Sequence, residues 1–108
     1  MTMLPDRYAY RVFWSEPDDC FVATVAEWPT LSWAADTPAE ALTGLIEVVR
    51  DALANLEPGE AAPEPFMDRH YSGKMTLRVP PLIHRNLVIE AAEQGVSINR
   101  LAAAKLAA

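Results

Sequence analysis

The sequence predicts an α+β chain in two parts, a β-β-β-α body followed by a strand-helix-helix tail. Three observations carry that reading. The first 35 residues alternate between β-prone runs and turn residues, a strong helix-start signal stands at Thr37, and a proline-containing break near residues 60 to 65 coincides with a change of charge sign. At 108 residues, 51% hydrophobic and 22% charged, with a mean hydropathy of +0.02, the chain has the composition of a folded domain with a core. That length excludes a large enzyme.

Tyr8-Ala-Tyr-Arg-Val-Phe-Trp14 has β propensity throughout, with Tyr8, Tyr10, Val12 and Trp14 on one face and Ala9, Arg11 and Phe13 on the other. Ser15-Glu-Pro-Asp-Asp19 is a turn by composition, and Cys20 to Ala26 resumes the β pattern, so the two runs form a hairpin. Leu31 to Ala35 supplies a short third strand. A three-stranded meander needs one face covered in water, and the next element provides the cover.

Thr37 is placed to cap a helix, Pro38 occupies the first helical position without losing a bond, and Glu40 completes a capping box. Leu42, Leu45, Ile46, Val49, Leu53 and Leu56 then recur as one apolar stripe, and Glu57-Pro-Gly59 stops it. A helix over residues 38 to 57 spans about 30 Å, enough to cross the meander. Residues 60 to 65 carry two prolines and no periodicity, which reads as a stiff linker with a short strand around Phe66 and Met67. The predicted domains are residues 1–62, a linker at 63–72, and a module at 73–108.

In that module Met75, Leu77 and Val79 alternate with Lys74, Thr76 and Arg78, and Pro80-Pro81 ends the strand. A helix follows from Leu82 to about Gln94, closed by Gly95, and Ser97 caps a second helix bearing Ile98, Leu101, Ala102 and Leu106. So small a unit cannot bury its own apolar faces and is expected to dimerise, pairing residues 74 to 79 with their copy. The opposite face of that ribbon presents Lys74, Thr76 and Arg78 at a width suited to the DNA major groove. Backbone N–H groups near Ser97, Ile98 and Asn99, at the positive end of the second helix, complete a phosphate anchor.

Charge supports a division of labour. Up to Asp68 the chain has three arginines against thirteen acids, a net −10, and beyond it six basic residues against two acids, a net +4. Such a body suits a basic partner and such a tail a polyanion.

Ser72-Gly-Lys-Met-Thr-Leu-Arg-Val-Pro80, Leu82-Ile-His-Arg85 and Gly95-Val-Ser-Ile-Asn99 resemble the ribbon-helix-helix tail of HicB-type antitoxins. Tyr8-x-Tyr-x-Val-x-Trp-Ser15, Phe21-Val-Ala-x-Val25, Glu27-x-Pro29, Leu31-Ser32 and Thr37-Pro-x-Glu-Ala-Leu42 are similar to the family's N-terminal domain. Thr30 and Ala35 stand where the family often has glycine. The resemblance implies a type II antitoxin whose N-terminal domain, a degenerate RNase H-like fold, occludes HicA, a small basic mRNA-cleaving toxin. It also implies operator binding as a homodimer, autorepression and no catalytic activity. Trp28 and Trp33 flank a loop and are the candidate toxin anchors, with core packing as the other reading. The competing function class is a stand-alone DNA-binding regulator whose front domain senses a ligand or protein.

No cofactor is expected. Asp18, Asp19, Glu27 and Asp36 read as turn and surface acids rather than a Mg²⁺ cluster, and His70, His84 and the single cysteine, Cys20, have no metal or nucleophile spacing. One cysteine forms no internal disulfide. With no apolar run near the ~18 residues of a membrane helix and no signal-peptide layout at the N-terminus, a cytoplasmic protein is expected.

Overall fold

The computed structural model describes residues 4–108. The chain divides into two compact units, Met1–Tyr71 and Ser72–Ala108. The first is α+β, a three-stranded antiparallel sheet with helices, in the order α1 (Leu4–Arg7), β1 (Tyr10–Ser15), β2 (Cys20–Val25), β3 (Ser32–Ala35) and α2 (Pro38–Ala54). The second holds α3 (Pro81–Gln94) and α4 (Ile98–Ala107). Among the described residues no helix is long and apolar enough to cross a membrane.

The hairpin forms as its alternation predicts, with Tyr10 opposite Val25, Val12 opposite Ala23 and Trp14 opposite Phe21. Asp19 closes the turn at φ 49, a left-handed position that aspartate tolerates better than most residues, and its N–H donates to Glu16 O at 3.3 Å. In β2, Ala23 and Val25 are buried at 0% and 1% exposure and point at α2. β1 begins at Tyr10 rather than Tyr8. The Ala9 N–H is taken by both carboxylate oxygens of Glu27, at 2.9 and 3.1 Å, while Ala9 O still accepts from Ala26 N.

Helix α2 starts where the capping signal stands. Thr37 is extended, and its hydroxyl oxygen accepts from Glu40 N at 3.2 Å. The expected return bond differs: the Glu40 carboxylate accepts from the Thr37 hydroxyl at 2.9 Å. The buried line is Ala41, Leu45 and Val49, with Val48 and Leu53 packed beside it; Leu45, Val49 and Leu53 of the expected stripe thus face the core, Ala41 and Val48 join them, and Leu42 and Ile46 are half-buried at the flank. The helix also ends before residue 57, because the backbone N–H of Asn55 and its side-chain amide both donate to Asp51 O, at 3.1 and 2.8 Å.

Gly44 is explained by β3. A methyl group at that position would collide with the indole of Trp33, which lies directly on the helix backbone there. Glycine weakens a helix interior by about 1 kcal/mol relative to alanine, and here it permits the close approach of sheet and helix.

Residues 63–68 belong to the first unit. The Tyr8 hydroxyl donates to Pro63 O at 2.7 Å, Phe66 N donates to Glu27 Oε2 at 3.0 Å, and the Arg7 guanidinium pairs with the Asp68 carboxylate. The short strand expected around Phe66 and Met67 is instead a 3-10 turn, Phe66–Asp68, closed by Asp68 N donating to Pro65 O at 3.0 Å. Pro65 sets the entering φ at −57°, and the segment lies outside the three-stranded sheet.

In the second unit α3 begins with Pro81 at its first position and ends at Gly95, in the left-handed conformation at φ 68. Val96 N donates to Ala91 O at 3.0 Å and Gly95 N to Ala92 O at 3.3 Å, a Schellman closure. α3 and α4 then pack through Ala91 and Leu101, and Lys105 pairs with Glu90 at 3.1 Å. The predicted strand over residues 74–79 is absent from the single chain: residues 69–80 carry no helix or strand. A strand requires a hydrogen-bonding neighbour, and the sheet of the first unit already comprises β1, β2 and β3 in that order.

Gly44→Ala is expected to lower the melting temperature despite alanine's better helix propensity, at a cost of about 1–3 kcal/mol from overpacking against Trp33. Thermal unfolding followed by circular dichroism measures it, and a raised melting temperature contradicts the close contact.

Candidate functional site

The residues predicted to meet DNA all lie in the second unit. Gly73 adopts φ 82, and Lys74 N donates to the Ser72 hydroxyl at 3.1 Å, a local turn that opens the segment. Lys74, Thr76 and Arg78 are exposed. Their apolar alternates are exposed too: Met75 stands at 69%, Leu77 at 56% and Val79 at 40%. An alternation of this kind presents a charged and an apolar face, and in one chain neither is covered.

Ser97 is the N-cap of α4. Its backbone is extended, and its hydroxyl oxygen accepts from Arg100 N at 3.0 Å. That bond satisfies one of the free N–H groups of the first turn and leaves those of Ile98 and Asn99 directed off the helix end. Ile98 and Asn99 are both exposed. The end of α4 therefore has the donors and dipole that attract an anion. The distribution of charge agrees: residues 72–108 hold five basic side chains against Glu90 and Glu93.

α3 shows what periodicity alone understated. Leu87 and Ala91 turn toward the interior of the unit, Ile83 is exposed on the same side one turn before them, and Leu82, Val88 and Ile89 are exposed on other sides of the same helix. A helix with apolar residues around most of its circumference is a helix that expects to be covered on more than one side. Ile83, Leu87 and Ala91 fall on one stripe by helical spacing, and Leu82, Val88 and Ile89 fall outside it. His84 lies among them, exposed, beside Arg85.

In the first unit Trp28 is half-buried and packs against the core formed by Tyr8, Ala23, Val25, Ala41, Leu45 and Val49. Its N–H donates to Val25 O at 3.2 Å, and its carbonyl accepts from Leu31 N at 3.0 Å. Trp33 is 46% exposed with its inner face on Gly44. The two tryptophans thus differ, Trp28 half-buried against the core and Trp33 exposed at 46%. A third tryptophan, Trp14, not among the expected site residues, is 44% exposed, meets Phe21 edge-on with ring centroids 5.0 Å apart, and donates from Nε1 to Glu16 at 3.1 Å. The register puts Trp14 on the same side as Ala23 and Val25, but it lies at the end of an edge strand, where the cover thins.

The acids considered as a metal cluster are dispersed in role. Glu27 accepts from two backbone N–H groups, and Asp18 accepts from the Ser15 hydroxyl at 2.9 Å. Among the described residues no group of three or more histidine, cysteine, aspartate or glutamate side chains is placed to hold a metal ion. Desolvation first, then the carboxylates of Asp18, Asp36 and Asp19, push the Cys20 thiol above its ordinary value. Both effects disfavour the thiolate and with it nucleophilic reactivity.

Comparison with known proteins adds one finding. The model of the HicB family matches residues 57–106, so the C-terminal part of the chain is similar to that family. No curated protein and no solved structure matches the chain.

Proposed function

We propose that the chain is an antitoxin that binds and neutralises a HicA-type mRNA-cleaving toxin through its first unit and represses its own operon through a dimer of its second. The observation that carries this reading is the mismatch between what the second unit contains and what it buries. Ala91 and Leu101 are buried, yet Met75, Leu77, Val79, Leu82, Ile83 and Ile89 all stand at 40% exposure or more. Covering a large apolar side chain is worth about 1.5–3 kcal/mol, so several left open in so small a unit favour a partner strongly. A second copy is self-complementary by symmetry. Pairing residues 74–79 with their copies supplies the missing strand neighbour and buries Met75, Leu77 and Val79 together, as in a ribbon-helix-helix dimer.

The same pairing places Lys74, Thr76 and Arg78 on one outward face, beside the anion-attracting end of α4 at Ser97, Ile98 and Asn99. The match of residues 57–106 to the HicB family supports a toxin-antitoxin role for a chain so built. The first unit, Met1–Tyr71, carries four arginines against thirteen acids, which favours fast, selective association with a basic toxin. Of the two candidate tryptophan anchors Trp33 is the more exposed, but its indole lies on the α2 side of the sheet, against Gly44.

Leu77→Lys puts a charge into the shared apolar face and is expected to reduce the sedimenting mass of the full chain to that of a monomer. A folded dimer of unchanged mass contradicts the proposed pairing. Arg78→Ala is expected to weaken binding to the DNA upstream of the chain's own reading frame by about 1–3 kcal/mol while leaving binding to scrambled DNA nearly unchanged. Equal losses on both DNAs make Arg78 a phosphate contact and contradict base reading.

A further inference from the structure

The sheet of the first unit has two faces, and α2 packs on the one bearing Ala23 and Val25. On the opposite face the register sets Phe13, Val22 and Ala34 side by side across all three strands. Arg11, Thr24 and Ser32 form the neighbouring row on one side, and Ser15 and Cys20 the row on the other. The face is therefore apolar along its middle and polar along both margins, the anatomy of a protein-docking surface. Phe13 and Val22 are half-buried, Ala34 is exposed, and the Arg11 guanidinium lies over the Phe13 ring at 5.1 Å.

Beyond the Ser15–Cys20 margin the charge is negative. Asp18 is tied to Ser15 by its hydrogen bond, and the carboxylates of Asp18, Asp19 and Asp36 all act on the Cys20 thiol. We propose that this open face, the Phe13–Val22–Ala34 row with the acidic margin at Asp18, Asp19 and Asp36, is the surface on which the basic toxin docks. This rests on the antitoxin reading and gives it a location. Charge decides among occupants. The unit's net −9 repels the phosphates of a nucleic acid and a second copy of the same acidic face, while a cationic protein with an apolar patch satisfies both the row and its margin.

The test uses the full chain and, as probe, the product of the reading frame adjoining its own, which the antitoxin reading requires to be a small basic protein. Ala34→Arg, which places a bulky cation in the row, is expected to weaken binding of that protein at least tenfold. Asp18→Asn with Asp19→Asn, which leaves the sheet packing untouched, weakens it in the same direction and guards against a folding defect in the first variant. In the unsubstituted complex, alkylation of Cys20 slows relative to the free chain. Full affinity in both variants, with Cys20 as reactive in the complex as alone, overturns the location while the antitoxin reading stands. If the unsubstituted chain does not bind the basic protein, the antitoxin reading fails and takes this proposal with it. A change in the sedimenting mass of the chain alone on Ala34→Arg makes a second copy the occupant and overturns the proposal.

Discussion

A three-stranded sheet is stable in water only if one of its faces is covered, and the first unit depends on α2 for that cover. Ala41, Leu45 and Val49 are fully buried against Ala23 and Val25, and Trp33 lies so close to the helix that only a residue without a side chain fits beneath it. Glu27 fastens the margins of this arrangement. One carboxylate receives the N–H of Ala9, where the chain enters the sheet, and that of Phe66, where it leaves the unit. Tyr8 and Arg7 add bonds to Pro63 and Asp68 on the same returning segment. The unit thus covers one face of its sheet with α2 and leaves the face of Phe13, Val22 and Ala34 without a helix on it.

The second unit answers the same physical demand differently. Two helices of modest length meet at Ala91 and Leu101, and Met75, Leu77, Val79, Leu82, Ile83 and Ile89 of the unit stand exposed. Under the proposed function that shortfall is the basis of assembly. A second copy supplies what the chain lacks, and dimerisation turns three alternate polar side chains into one basic face. Under the same proposal the opposite charges of the two units follow the same logic, since an acidic body and a basic tail select different partners.

Local chemistry was the most legible part of the sequence. Thr37-Pro38 and Ser97 started helices as caps do, Gly95 stopped one, and the period-two patterns of residues 8–14 and 20–26 formed the hairpin. What failed depended on contacts between distant residues. In α2 the expected Leu45, Val49 and Leu53 face the core, but the fully buried Ala41 was not among the residues of the apolar stripe, since alanine carries little hydrophobic signal. Gly44 offers no cue in sequence to the tryptophan above it. Phe66 and Met67 have β propensity, yet Pro65 and the Glu27 carboxylate hold them in a turn. The alternation at residues 74–79 is as regular as that of β1 but forms no strand within one chain, because a pattern specifies a strand's faces and not its neighbour. For the candidate site, sequence supplied the polar residues of the tail and missed the open sheet face, which exists only once the register aligns Phe13, Val22 and Ala34.

The central claim is that the chain restrains a toxic partner, and the most direct measurement is growth with bulk mRNA integrity after induction of the adjoining reading frame, with and without this chain. The account predicts growth arrest and mRNA loss from the neighbour alone, both reversed by co-expression, with the two proteins copurifying. A neighbour that leaves growth and mRNA intact, or a toxic one that this chain neither binds nor relieves, contradicts it.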